Sequence, residues 1–137
     1  VGSKLVPKLL DLGYKVTVLD LMIYGADVLL NHDKLKIYFD MGNSASYGYD
    51  CENSISDVME FLGSVHIKDR VLGGPSVPLN DGVVNFKKVF KSLNQIKFSG
   101  PLSYQIYRNM QTDNLSLLKQ SLIFINDIIY DVTNDRN

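Results

Sequence analysis

Hydrophobic positions along the chain switch repeatedly between a helical and an extended period. Leu5, Leu9, Leu10 and Leu12 recur at helical spacing, with Ser3 placed to cap them, Pro7 in the tolerant first turn and Gly13 as the stop. Lys15–Asp20 is rich in β-branched and apolar residues and predicts a buried strand centred on Val16–Leu19. A second strand is expected at Leu35–Phe39, ending in Asp40. The polar, glycine-containing stretch Asn43–Asn53 predicts a loop. Ile55, Val58, Met59 and Leu62 then predict a helix closed by Gly63, followed by a strand at Val65–Lys68. Arg70–Gly82, with three glycines and two prolines, predicts a long loop of the kind that carries function. Val83, Phe86, Val89, Phe90 and Leu93 mark another helix, Leu102–Ile106 a strand and Leu115–Ile129 a closing helix before a polar tail, Asp131–Asn137.

Strands that alternate with helices predict parallel βα units and an α/β fold, with four strands and four helices in all. The 137 residues suit one domain of ordinary size, and 45% hydrophobic against 21% charged residues supplies a real core. Fourteen basic and fifteen acidic residues nearly cancel, so charge offers nothing to a nucleic acid or an anionic membrane. No apolar run approaches the ~20 residues of a spanning helix, and the first residues lack the pattern of a secretory leader. Cys51 is the single cysteine, which excludes an internal disulfide and suits a reducing, cytoplasmic setting. In a polar loop without a basic neighbour it has none of the features of a nucleophile, and His32, between Asn31 and Asp33, reads as surface.

Four motifs in order carry a family resemblance: Phe39-Asp40-Met41-Gly42-Asn43, Val65-His66-Ile67-Lys68-Asp69-Arg70, Pro78-Leu79-Asn80-Asp81-Gly82, and Gly100-Pro101-Leu102. From Tyr38 onward the chain resembles the xylose-isomerase-like sugar-phosphate isomerase/epimerase family. The resemblance implies a partial (β/α)8 barrel, roughly its last three strands, because a whole barrel takes about 250 residues. It also implies chemistry at a divalent metal (Mn²⁺, Mg²⁺, Zn²⁺ or Co²⁺) that polarises a sugar carbonyl and stabilises an enediolate. By the family pattern Asp40 and His66 become metal ligands. Asp69 and Arg70, with Asn43, lie where substrate would be held. Two positions depart from the pattern. Asn43 stands where the family often has histidine, and Gln105 where it often has a metal-binding glutamate, which makes Gln105, beside His66, the third ligand the resemblance implies. The implied partner is a small sugar or sugar phosphate, and a further chain could complete the barrel.

The front segment, residues 1–37, resembles a different family. Gly2 opening a helix, then Gly13-Tyr14-Lys15-Val16-Thr17-Val18-Leu19-Asp20, is similar to the NAD-dependent nucleotide-sugar epimerases/dehydratases. There the pyrophosphate rests on the helix N-terminus and an acidic residue, here Asp20, takes the ribose. The first strand and the first two glycines of that fingerprint are absent, as is a Tyr-x-x-x-Lys pair, so this fragment is not expected to hold NAD. The expected organisation is thus a Rossmann-like helix–strand piece, 1–37, joined to the end of a barrel, 38–137. Besides a metal-dependent isomerase/epimerase, two other readings follow: a remnant of an NAD-dependent enzyme, and a non-catalytic α/β fragment.

Overall fold

A computed structural model describes residues 2–16, 36–108 and 113–134, with side chains from residue 5. Helix α1, Gly2–Asp11, buries Val6 and Leu10, and Ser3 lies inside it rather than before it. Gly13 ends it at φ +86°, with Tyr14 N–H reaching the Leu9 carbonyl at 3.0 Å and Gly13 N–H the Leu10 carbonyl at 2.9 Å. That pair of bonds is the Schellman closure, which needs the left-handed backbone glycine adopts freely. The strand expected at Val16–Leu19 falls outside the described residues, apart from Val16.

Three strands, β1 (Ile37–Asp40), β2 (Leu62–Ile67) and β5 (Leu102–Tyr104), form one sheet in the order β1-β2-β5, parallel throughout. This is the α/β arrangement of parallel units that the alternating pattern predicts. The register aligns Asp40 with His66, and His66 with Ser103. Phe39, Val65 and Ile67 point to one face, where they meet Ile55, Val89 and Ile125 from the helices. The helices are α2 (Met41–Ser46), α3 (Cys51–Val58), α4 (Phe86–Gln95) and α5 (Asn114–Asn134), with α4 packed on both α3 and α5. An edge-on contact between Phe86 and Phe124, centroids 5.4 Å apart, joins α4 to α5. No helix among the described residues is long and apolar enough to cross a membrane.

Four expectations about boundaries fail. Asn43–Asn53 is not a loop: it holds most of α2 and the start of α3, because Asp40 and Asp50 cap them through bonds from Asn43 N–H and Asn53 N–H. The following helix ends at Val58, not at Gly63. Gly63 sits inside β2, where a β-carbon would press on the Lys36 side chain. Asp69–Arg70 leaves the main sheet and pairs antiparallel with Ser76–Val77, so strands β3 and β4 make a hairpin inside the expected long loop. The closing helix α5 runs to Asn134, into the stretch expected to fray.

Candidate active site

Asp40 is both the last residue of β1 and the cap of α2. Its Oδ1 accepts the Asn43 backbone N–H at 2.8 Å. Its Oδ2 is left facing the His66 Nδ1, 3.5 Å away. The two residues are direct register partners on parallel strands, so their side chains rise from the same face, about 4.8 Å apart at the backbone. Only 9% of the Asp40 side chain and 15% of the His66 side chain are exposed. His66 Nδ1 is buried and makes no hydrogen bond. Such an orphaned nitrogen is costly unless something else takes its lone pair or proton.

The alternation of β1 and β2 places Tyr38, Asp40, Ser64 and His66 on the face opposite the helices, with Ser103 of β5 beside His66. The Tyr38 ring lies against the imidazole, centroids 4.2 Å apart and planes tilted by 36°. Sequence reasoning passed over Tyr38, although its position two residues before Asp40 on one strand already put the two on one face. Gln105, expected beside His66, is not brought to the pair. It lies just past the end of β5, where its N–H donates to the Ile67 carbonyl at 2.9 Å and its side-chain oxygen accepts from Lys68 Nζ at 3.3 Å. Lys68 itself passes tightly over Gly42, whose β-carbon, if present, would stand 2.8 Å from the Lys68 Cγ and carbonyl oxygen.

Asn43 and Arg70 meet in the structure. Arg70 Nη1 donates to Asn43 Oδ1 at 2.8 Å, while Nε and Nη2 both donate to the Gly74 carbonyl. Asp69, expected at the substrate, is turned inward. It is 1% exposed, and its carboxylate accepts four backbone N–H groups. Oδ1 takes Arg70 and Val84, and Oδ2 takes Asn80 and Gly82, at 2.9–3.2 Å. Both oxygens are taken up by backbone groups, so the residue organises the loop. That loop includes Asn80 in the left-handed region at φ +76°, and Gly82, whose missing β-carbon leaves room for the Asp69 carboxylate and the Arg70 carbonyl.

Cys51 is half-buried, and its thiol donates to the Met41 carbonyl at 3.5 Å. Burial pushes its pKa up from the usual thiol value, partly opposed by a hydrogen bond with Ser44. A raised pKa leaves the unreactive thiol in place at neutral pH, in line with its exclusion as a nucleophile. Iodoacetamide should therefore label Cys51 in the folded chain well below the rate of the same chain in denaturant at pH 8. The gap should close only as pH rises past the ordinary thiol range, and mass spectrometry of timed samples reads it. Among the described residues no three His, Cys, Asp or Glu side chains cluster to hold a metal. Gly2 lies in the first turn of α1, and Asp20 is outside the described residues. A cavity of about 550 Å³ opens at the N-terminal ends of β1 and β2, between Tyr14, Lys15, Lys36 and Ser64, at the other end of the strands from Asp40.

The model of the xylose isomerase-like TIM barrel family matches residues 26–128. The match therefore begins inside the segment that resembles the NAD-dependent enzymes. The chain is 28% identical over 85 residues to L-ribulose-5-phosphate 3-epimerase UlaE of Escherichia coli (strain K12 / DH10B), covering 61% of this chain and 30% of that protein. The chain thus spans less than a third of the length of such curated relatives. Among solved structures, an L-ribulose 3-epimerase superposes with TM-score 0.62 at 22% identity, over 74% of this chain and 38% of that one. A xylose isomerase domain protein from Planctomyces limnophilus superposes with TM-score 0.63 at 24% identity, over 77% and 41% of the two chains. Identities this low speak for the fold alone, and the fold agrees with the parallel β1-β2-β5 sheet and its outer helices. On the family match over residues 26–128, the chain belongs to the xylose isomerase-like TIM barrel family.

Proposed function

We propose that this chain is the C-terminal, ligand-bearing part of a sugar or sugar-phosphate isomerase/epimerase, residues 38–137 forming the barrel portion. The observation that carries the reading is the buried, unpartnered Nδ1 of His66 turned toward Asp40 Oδ2 at 3.5 Å. Two ligand atoms bound at ~2.1 Å to one tetrahedral ion stand about 3.5 Å apart, so the pair fits a shared divalent cation. Imidazole and carboxylate together suit Zn²⁺, Mn²⁺ or Co²⁺, and Mg²⁺ less well. A cation held there would polarise a sugar carbonyl and its neighbouring hydroxyl, which eases loss of the proton between them. The chain's own residues supply the rest. Asp40 keeps its orientation through Asn43 N–H, and Arg70, fixed by Asn43 and Gly74, offers a guanidinium to a sugar oxygen or phosphate at the same strand ends. Asp69 holds the loop from which Arg70 projects.

Two ligands are fewer than the three protein ligands of an ordinary catalytic zinc centre. Remaining ligands would come from the other barrel strands, in the same polypeptide or in a second chain. Gln105 would have to release Lys68 to join them. A reducing compartment such as the cytoplasm suits the single, half-buried Cys51. The curated relatives act on L-ribulose 5-phosphate by name, which supports a pentulose or its phosphate as the substrate class.

Calorimetric titration of the chain with Zn²⁺ tests the metal reading. Weak one-site binding that disappears in His66→Gln is expected. Equal binding by the wild type and His66→Gln would sink it. A parallel titration with NAD addresses residues 1–37: micromolar affinity would revive the nucleotide-sugar reading, and absence of both ligands would favour a non-catalytic α/β piece.

A further inference from the structure

We propose that Tyr38 is a positioning residue for His66: its ring face holds the imidazole so that Nδ1 is presented to Asp40. The inference rests on the metal reading above and names a further residue that the site needs. An imidazole on a strand can turn about its last side-chain bond, and that torsion is broad rather than sharply staggered. Metal-binding histidines ordinarily have the ring fixed by a hydrogen bond from the other nitrogen to a carboxylate, carbonyl or water. Nδ1 is the nitrogen turned to Asp40 and has no hydrogen-bond partner among the described residues, and the ring packed on the imidazole is that of Tyr38, with centroids 4.2 Å apart.

Tyr38 is well placed for this by the register of the sheet. It pairs with Ser64, one step from the Asp40–His66 pair and on the same face, so the phenol ring reaches diagonally onto the imidazole. The planes are tilted by 36° rather than crossed, so ring face meets ring face and limits rotation of the imidazole about its long axis. Asp40 is fixed independently, by Asn43 N–H on Oδ1. The two halves of the ligand pair are thus oriented by two devices of different kind, a helix cap for the carboxylate and an aromatic stack for the imidazole. The contact needs the ring of Tyr38 and not its hydroxyl.

The test uses the full chain with three variants at the position: Tyr38→Phe, Tyr38→Leu and Tyr38→Ala. Two readouts are taken, the proton shifts of the His66 ring in metal-free protein, assigned with His66→Gln, and Zn²⁺ affinity by calorimetry. In the wild type and Tyr38→Phe the His66 ring protons should carry an upfield ring-current shift, and their Zn²⁺ affinities should agree within about twofold. Tyr38→Leu, which keeps apolar bulk and so guards against simple unfolding, should lose that shift and weaken Zn²⁺ binding about tenfold, the lower end for loss of a partner that orients a metal-bound histidine. Tyr38→Ala should do the same or more. The proposal is overturned if Tyr38→Leu binds Zn²⁺ as the wild type does, or if Tyr38→Phe loses as much as Tyr38→Leu, which would point to the hydroxyl. If Asp40→Asn and His66→Gln also bind Zn²⁺ unchanged, the metal reading falls and the proposal with it. If those two lose binding and Tyr38→Leu does not, the positioning role alone is wrong.

Discussion

Replacing Asp69 with alanine should lower stability by about 3–5 kcal/mol, the largest loss expected from any single polar change among the described residues. The reason is arithmetic of the simplest kind. One carboxylate satisfies four backbone N–H groups, and it does so at 1% exposure. Each orphaned, buried N–H costs roughly 1–3 kcal/mol, and water entering the vacated space recovers part of the total. Against a typical domain stability of about 5–15 kcal/mol the change is severe, and the melting temperature should fall by roughly 10–20 °C. Asp69→Asn keeps the shape and one acceptor oxygen but turns an amide NH2 toward N–H groups, so it should recover less than half of the loss. Thermal melts of the three proteins check this. Wild-type stability in Asp69→Ala would mean that the loop 80–84 does not close on this residue in solution.

At Asp40 the expected loss is of binding rather than of fold. Asp40→Asn should abolish measurable Zn²⁺ binding while costing little stability, because asparagine caps a helix about as well as aspartate and can still accept Asn43 N–H. Asp40→Ala should abolish binding and in addition lose the cap, about 1 kcal/mol. The effect on affinity should exceed the ~10–100-fold typical of losing an outer partner of a ligand, since the ligand itself is gone. Calorimetry and thermal melts on the pair of variants separate the two duties. Equal destabilisation by Asn and Ala would show that the cap requires the charge. Retained Zn²⁺ binding in Asp40→Asn would remove Asp40 from the metal reading.

How much of this was legible beforehand differs from residue to residue. Val65 and Ile67 alternate with Ser64, His66 and Lys68, so β2, its buried face and its polar face could be read directly. The strand ends then placed Asp40 beside His66. Helix α2 and the start of α3 were lost because their signals resemble those of turns. Asp40 and Asp50 each stand three residues before an asparagine, and α2 is too short and too rich in small residues to show a helical apolar stripe. Glu52 in the first turn of α3 was the available hint. The duty of Asp69 lay beyond reach, because it depends on backbone groups eleven to fifteen residues away folding back onto it. Gln105 stands two residues past Ser103, the register partner of His66, and there it reaches Lys68.

The two oxygens of Asp40 have separate tenants. Oδ1 is pinned to the backbone of α2, and Oδ2 is free to face the imidazole. A carboxylate held by one oxygen has little freedom to swing, so whatever arrives at the other meets an acceptor already turned toward it. Most of the entropy of orienting that side chain has been lost when α2 forms rather than when a ligand docks. The site is in this sense preorganised on both sides: the carboxylate is set by the short helix as it forms, and its companion ring is set by an aromatic neighbour. Occupancy should then leave the main chain of β1 and α2 where it is.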